Sequence, residues 1–173
     1  MATWFPYYGN LCSEEKKDGT CTVNQGLTAS LAEKNIAIRR TIQQEMSKAD
    51  IEAMADEDNL KQFASITNSY FTFDKKYAGL SCSDYIDSLQ DKKGVCQDYA
   101  QMFAMMCWEE GFECRIIFGE SDKGYHAWNQ VRIDGSWKYI DVEWSGSGGG
   151  YWLSETLWDD HWDPEIISIR EMY

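Results

Sequence analysis

The hydrophobic rhythm of the chain changes at Gly111, and no other feature constrains its fold so tightly. Before that glycine, apolar residues recur at helical spacing: Ile38, Ile42 and Met46 stand four apart, as one buried helix stripe requires. Ser30-x-x-Glu33 supplies a capping box for that helix. Asp50 to Met54 reads as a weaker short helix. Asp58 can cap another, with Leu60, Phe63, Ala64 and Thr67 on one side, running into Tyr70-Phe71. Ser83 to Leu89 is a further short helix, and Gly94 breaks the chain after it. The longest helix runs from Cys96 to about Glu110, with Tyr99, Phe103, Met106 and Cys107 as its apolar stripe and Gly111 placed to end it.

Beyond Gly111 the spacing becomes that of strands. Phe112–Gly119, Tyr125–Ile133 and Ser136–Glu143 read as three, with Asp134-Gly135 as a hairpin turn between the last two. Ser145 to Gly150 is a flexible SGSGGG loop. It is no phosphate cradle, because no Gly-Lys-Ser/Thr follows. Tyr151 to Trp162 is aromatic and acidic, and Ile166 to Arg170 reads as a closing strand. Helices first and strands later, without alternation, indicate an α+β fold. The length of 173 residues suits one domain, 1–173. Within it we read an irregular segment at 1–27, a helical part at 28–89, and a core with C-terminal segment at 90–173.

Charge removes two classes of partner. Sixteen Lys and Arg against 29 Asp and Glu give a net charge of −13, which repels phosphate backbones and anionic membrane surfaces. No apolar run approaches the ~20 residues of a membrane span. The six cysteines include no C-x-x-C pair and the histidines number two, so no structural metal site is expected. Cys12 and Cys21 flank a polar stretch, as a small disulfide loop or as two free thiols. Cys107 and Cys114 read as core.

Cys96 differs from the other cysteines by standing at a helix start, where unpaired N–H groups and the dipole end stabilise a thiolate. A nucleophilic thiol also needs a base, and the base needs an orienting group. The hairpin supplies candidates for both. A two-residue turn at Asp134-Gly135 sets Trp128 opposite Asp141 and His126 opposite Glu143. His126 and Asp141 then share a face as diagonal neighbours, about 7–8 Å apart along the backbone and within side-chain reach. Asp is unfavourable inside a strand, so Asp141 between Ile140 and Val142 asks for a specific partner.

Three blocks carry a family resemblance: Gly94-Val95-Cys96-Gln97-Asp98-Tyr99-Ala100, His126-Ala127-Trp128-Asn129-Gln130-Val131, and Asp134 through Trp144 (DGSWKYIDVEW). Together they resemble the transglutaminase-like superfamily, whose core is related to papain-like cysteine proteases. The resemblance implies a Cys-bearing helix packed on an antiparallel sheet that presents His and Asp. It also implies Cys96 as nucleophile, His126 as general base then acid, and Asp141 as the orienting carboxylate. No cofactor is implied, and the substrate would be a protein or peptide. The aromatic, His-containing tail from Tyr151 to Trp162 resembles the segment that follows this core in bacterial members. Those members are often exported, which implies an extracellular or cell-surface site, although Met1 to Asn10 lacks signal-peptide features. Glu143 stands where bacterial members commonly have Thr.

The implied reaction is acyl transfer on amide bonds through a thioester, with hydrolysis by a peptidase or amidase as the leading outcome. Glutamine transglutamination or deamidation is the alternative, and a non-catalytic peptide- or glycan-binding module on the same fold is the second. The backbone N–H of Cys96 is the natural oxyanion donor. Gln90, six residues upstream, has the spacing of a papain-type oxyanion glutamine but reads better as a surface residue. Trp128, Trp137 and Trp144 line a groove or fill the core, the latter being favoured. His161 among Asp159, Asp160 and Asp163 reads as a surface turn rather than a metal cluster.

Overall fold

The computed structural model describes the backbone of residues 12–15, 21–23, 29–49, 51, 55–78, 85–146 and 150–169, and the side chains within 36–49, 51, 55–78, 87–146 and 150–166. Strands β1 (Cys12–Glu15) and β2 (Cys21–Val23) form an antiparallel hairpin where an irregular segment was expected. The register sets Cys12 opposite Val23 and Cys21 opposite Glu15. Helix α1 (Ala29–Met46) carries Ile38, Ile42 and Met46 on its buried side. The short helix expected at Asp50 to Met54 falls largely outside the described residues.

Helix α2 (Asp56–Tyr70) begins two residues before Asp58 and has Ala55 at its cap. Asp58 is thus no cap. Asp56, Glu57 and Asp58 fill the first turn, where carboxylates complement the positive end of the helix dipole. Strand β3 (Thr72–Phe73) lies parallel to β4 (Lys93–Gly94), and helix α3 (Tyr85–Asp91) stands between them in sequence.

Helix α4 (Cys96–Glu109) is buried all round, from Asp98 to Trp108, and not along one stripe only. It is the centre of the molecule. Helices α1 and α2 pack on one side of it, and the strands β5 (Cys114–Ser121) and β6 (Gly124–Ile133) on the other. Met102, Phe103, Met105 and Met106 are fully buried, each contributing about 1.5–3 kcal/mol of apolar transfer. The Met-rich run therefore has a packing role. Gly111 ends the helix at φ 82°, a conformation that glycine adopts without steric cost.

Strand β7 (Ser136–Ile140) completes a hairpin with β6, and β8 (His161–Ile169) adds to the far side of β5, giving the antiparallel order β7-β6-β5-β8. The turn Asp134-Gly135 has both φ values positive, 52° and 81°, matching the right-handed strand twist. Its register is the expected one, Ile133 opposite Ser136 through Asn129 opposite Ile140. β7 stops at Ile140, three residues before the expected end, because Asp141 turns away to begin the four-residue helix α5 (Val142–Ser145). β8 starts five residues earlier than expected.

Two side-chain amides, the buried Asn129 and the half-buried Asn68, lock these layers. Asn129 of β6 donates from Nδ2 to the Ala100 carbonyl of α4 at 2.9 Å and to the Arg115 carbonyl of β5 at 3.2 Å. Asn68 of α2 donates to the Val142 carbonyl of α5 at 2.9 Å. Helix, sheet and the turn at Asp141 are thus held to one another by bonds whose loss would leave buried carbonyls unpaired. Among the described residues, no helix is long and apolar enough to cross a membrane.

Candidate active site

Cys96 opens α4 directly after a tight chain approach. The Asp98 carboxylate accepts the Val95 N–H at 2.8 Å, which closes the first turn. Burial pushes the Asp98 carboxyl up to about 6 against the pull of the Val95 N–H and Ser88 bonds. Gly94 leaves room for this cap: a Cβ there would stand 2.6 Å from Asp98 Oδ2. Gly94→Ala is therefore expected to cost about 1–2 kcal/mol of stability, the usual worth of a helix cap. Thermal melting of the variant checks this, and turnover should fall with it as Cys96 shifts.

The structure brings the three sequence-derived residues together. Asp141 is fully buried and His126 is 4% exposed. The His126 Nε2–H donates to Asp141 Oδ2 at 2.6 Å, so the diagonal relation read from the hairpin is a direct hydrogen bond. A ring nitrogen of His126, Cys96 Sγ and a Glu143 carboxylate oxygen lie within 4.8 Å of one another. Nε2 is committed to Asp141, which leaves Nδ1 as the ring nitrogen available to another partner. Asp141 does double duty as the cap of α5, its Oδ1 accepting the Trp144 N–H at 3.1 Å. This is why the chain leaves the β7 ladder at Asp141.

His161 does not lie on a surface turn. It is 3% exposed, opens β8 opposite Ser121, and its Nε2 lies 3.3 Å from Asp141 Oδ2. Its Nδ1 lies 2.8 Å from Asp160 Oδ1. Trp128, Trp144, Tyr151 and Trp158 surround the ring with centroids 4.7–5.6 Å away. Burial alone would push the imidazole down, but the bonds to Asp141 and Asp160 outweigh it and raise the group above its ordinary value. Burial likewise pushes Asp141 up, and the hydrogen bonds from His126 and His161 outweigh it and hold the carboxyl low. The long-range pairing of β8 with β5 buries His161. The aromatic crowd around positions 151–162 was the available signal.

The tryptophans divide. Trp128 is fully buried core, Trp144 stacks on His126 at 4.5 Å, and Trp137 lies under the Arg115 guanidinium at 3.6 Å. Lys123, from the β5–β6 turn, holds its ammonium 4.2 Å over the Trp144 ring. Gln90 is exposed on α3.

The thiol departs from the helix-start expectation. Burial and the Glu143 carboxylate push Cys96 up to about 12, against the pull of the Ala127 and Gln97 N–H groups. Glu143 is itself raised, by burial first and by Asp141, with His126 and Lys123 opposing. Burial and the Glu143 carboxylate both favour the neutral thiol of Cys96 over the thiolate. Glu143→Gln removes a negative neighbour and should speed iodoacetamide labelling of Cys96 at pH 7 several-fold. An unchanged labelling rate would show that the carboxylate does not bear on the thiol.

Residues 40–142, which include all three, match the family model of the transglutaminase-like superfamily. The human and mouse kyphoscoliosis peptidases are each 36% identical to the chain over 75 residues, covering 36% of this chain and 11% of theirs. The chain thus spans about a tenth of the length of these curated relatives. A solved TGase structure superposes with a TM-score of 0.54 at 18% identity, over 69% of this chain and 34% of that one. A structure from Cytophaga hutchinsonii assigned as a cysteine protease superposes at 0.50 with 17% identity, over 62% and 37%. These two likenesses carry the fold.

Proposed function

The chain belongs to the transglutaminase-like superfamily, and from that premise we propose that it performs cysteine-dependent acyl transfer on amide bonds of protein or peptide substrates. One observation carries the reading: the buried 2.6 Å bond that orients His126 on Asp141, with the Cys96 thiol within 4.8 Å of the same imidazole. Cys96 Sγ attacks the amide carbonyl as His126 Nδ1 takes the thiol proton. The imidazolium, stabilised by Asp141, then gives that proton to the leaving amine. Water activated by His126 resolves the thioester and restores the thiol. The backbone N–H of Cys96 is the proposed oxyanion donor.

We favour hydrolysis, the outcome named for the kyphoscoliosis peptidases. Transfer to an amine is the second reading. The half-buried Glu143 carboxylate beside Cys96 supports it, since it would attract a cationic acceptor. Incubation with casein and a fluorescent primary amine separates the two. New peptide termini are expected from hydrolysis and label incorporation from transfer, with both lost in Cys96→Ala. Activity that survives Cys96→Ala would overturn the reading.

A further inference from the structure

The same site offers a donor set that acyl transfer does not use as a set. We propose that Cys96 Sγ, His126 Nδ1 and the Glu143 carboxylate form a reversible Zn²⁺ site that switches the nucleophile off. Thiolate, imidazole and carboxylate are the three ligand types that zinc prefers, and three protein ligands leave a fourth position for water.

Geometry supports the assignment. Cys96 Sγ, a ring nitrogen of His126 and a Glu143 carboxylate oxygen already lie within 4.8 Å of one another. Tetrahedral zinc with bonds of about 2.0–2.3 Å needs donors about 3.2–3.7 Å apart, so the contraction is on the order of one ångström. Glu143 projects from α5, a helix of four residues, and its flexible side chain can supply that movement by rotamer change. The imidazole is already aimed. His126 Nε2 is bonded to Asp141, which fixes the ring and leaves Nδ1 as the metal-binding nitrogen, the carboxylate–histidine–metal arrangement. Asp141 is held in turn by the Trp144 N–H and His161.

Charge and access agree. One thiolate and one carboxylate neutralise one divalent cation. The other candidate cluster, His126, Asp141 and His161, is closed: both imidazoles already bond Asp141, and all three side chains are at most 5% exposed. Cys96 and Glu143 are only half-buried. Zn²⁺ would displace the Cys96 proton to solvent and form the S–Zn bond without any change of oxidation state. A sulfur lone pair held by the metal cannot attack a carbonyl.

The consequence, inhibition, rests on Cys96 being the nucleophile; the metal site itself does not, and the two are read separately. Metal-free protein is titrated with Zn²⁺ against a chromogenic chelator, and iodoacetamide labelling of Cys96 is followed in parallel. We expect one zinc per chain, at least tenfold slower labelling, and full recovery with EDTA, whereas Mg²⁺ gives no protection. Glu143→Gln should weaken affinity tenfold or more. Cys96→Ala should abolish both the binding and the sulfur-to-metal absorption seen with Co²⁺ in the wild type, with melting curves confirming that each variant is folded. Unchanged labelling with Zn²⁺, or stoichiometric binding that survives in folded Cys96→Ala, overturns the site. Zinc protection of Cys96 in a protein that forms no acyl-enzyme supports the site and refutes the functional reading alone.

Discussion

Asp141→Asn should lower turnover by about 10³–10⁴-fold and lower the melting temperature of the same sample. Asn presents an N–H or a weaker acceptor where the His126 Nε2–H needs a carboxylate, and so favours the tautomer with its proton on Nδ1. That nitrogen can then no longer take the thiol proton. Stability falls for a separate reason. Asp141 is fully buried and faces His161, whose bonds to two carboxylates raise it above its ordinary value. Removing one charge of such a buried pair costs about 3–5 kcal/mol. The α5 cap survives, because Asn can still accept the Trp144 N–H. Unchanged turnover in folded variant would remove Asp141 from the catalytic reading.

His161→Phe should be comparably destabilising, by about 3–5 kcal/mol at mildly acidic pH, and should alter the pH profile of stability. The groups that face His161 are Asp141, Asp160 and His126, with Tyr151 bonded to Asp160. His161 is raised in the fold, so its contribution is complete below the ordinary histidine value of about 6.5 and is lost as pH climbs through the raised one. Asp141 is lowered, so its contribution is present above the ordinary value of about 3.9 and is lost as pH falls through the lowered one. Melting temperature in the presence of a chelator should therefore be highest between about pH 4 and 6.5. The alkaline decline should flatten in His161→Phe. An alkaline limb identical in wild type and variant would mean that His161 is not the titrating group.

What the sequence revealed follows from how local each feature is. The turn at Asp134-Gly135 is two residues long and demands its own backbone geometry, so the β6–β7 register and the meeting of His126 with Asp141 could be read directly. Cys96 at the start of α4 was legible from Gly94, the helical run and Gly111. The mild surprises share one physical cause, which is dependence on distant partners. His161 is buried by pairing with β5, some forty positions earlier in the chain. β7 ends early because Asp141 has His126 to hold and α5 to cap. The Cys96 thiol is raised first by burial and then by Glu143, which α5 brings to it. The β1–β2 hairpin has no period that its seven residues could display.

The central claim, a thioester on Cys96 formed with His126 as base, is tested most directly by intact-protein mass spectrometry after brief reaction with an N-acyl dipeptide p-nitrophenyl ester. The account predicts one added acyl group, mapped to Cys96. It should be absent in Cys96→Ala and form at least a hundredfold more slowly in His126→Ala, in line with the usual worth of a positioned base. Acylation of another nucleophile with substrate turnover intact in Cys96→Ala, or equal rates in wild type and His126→Ala, would contradict it.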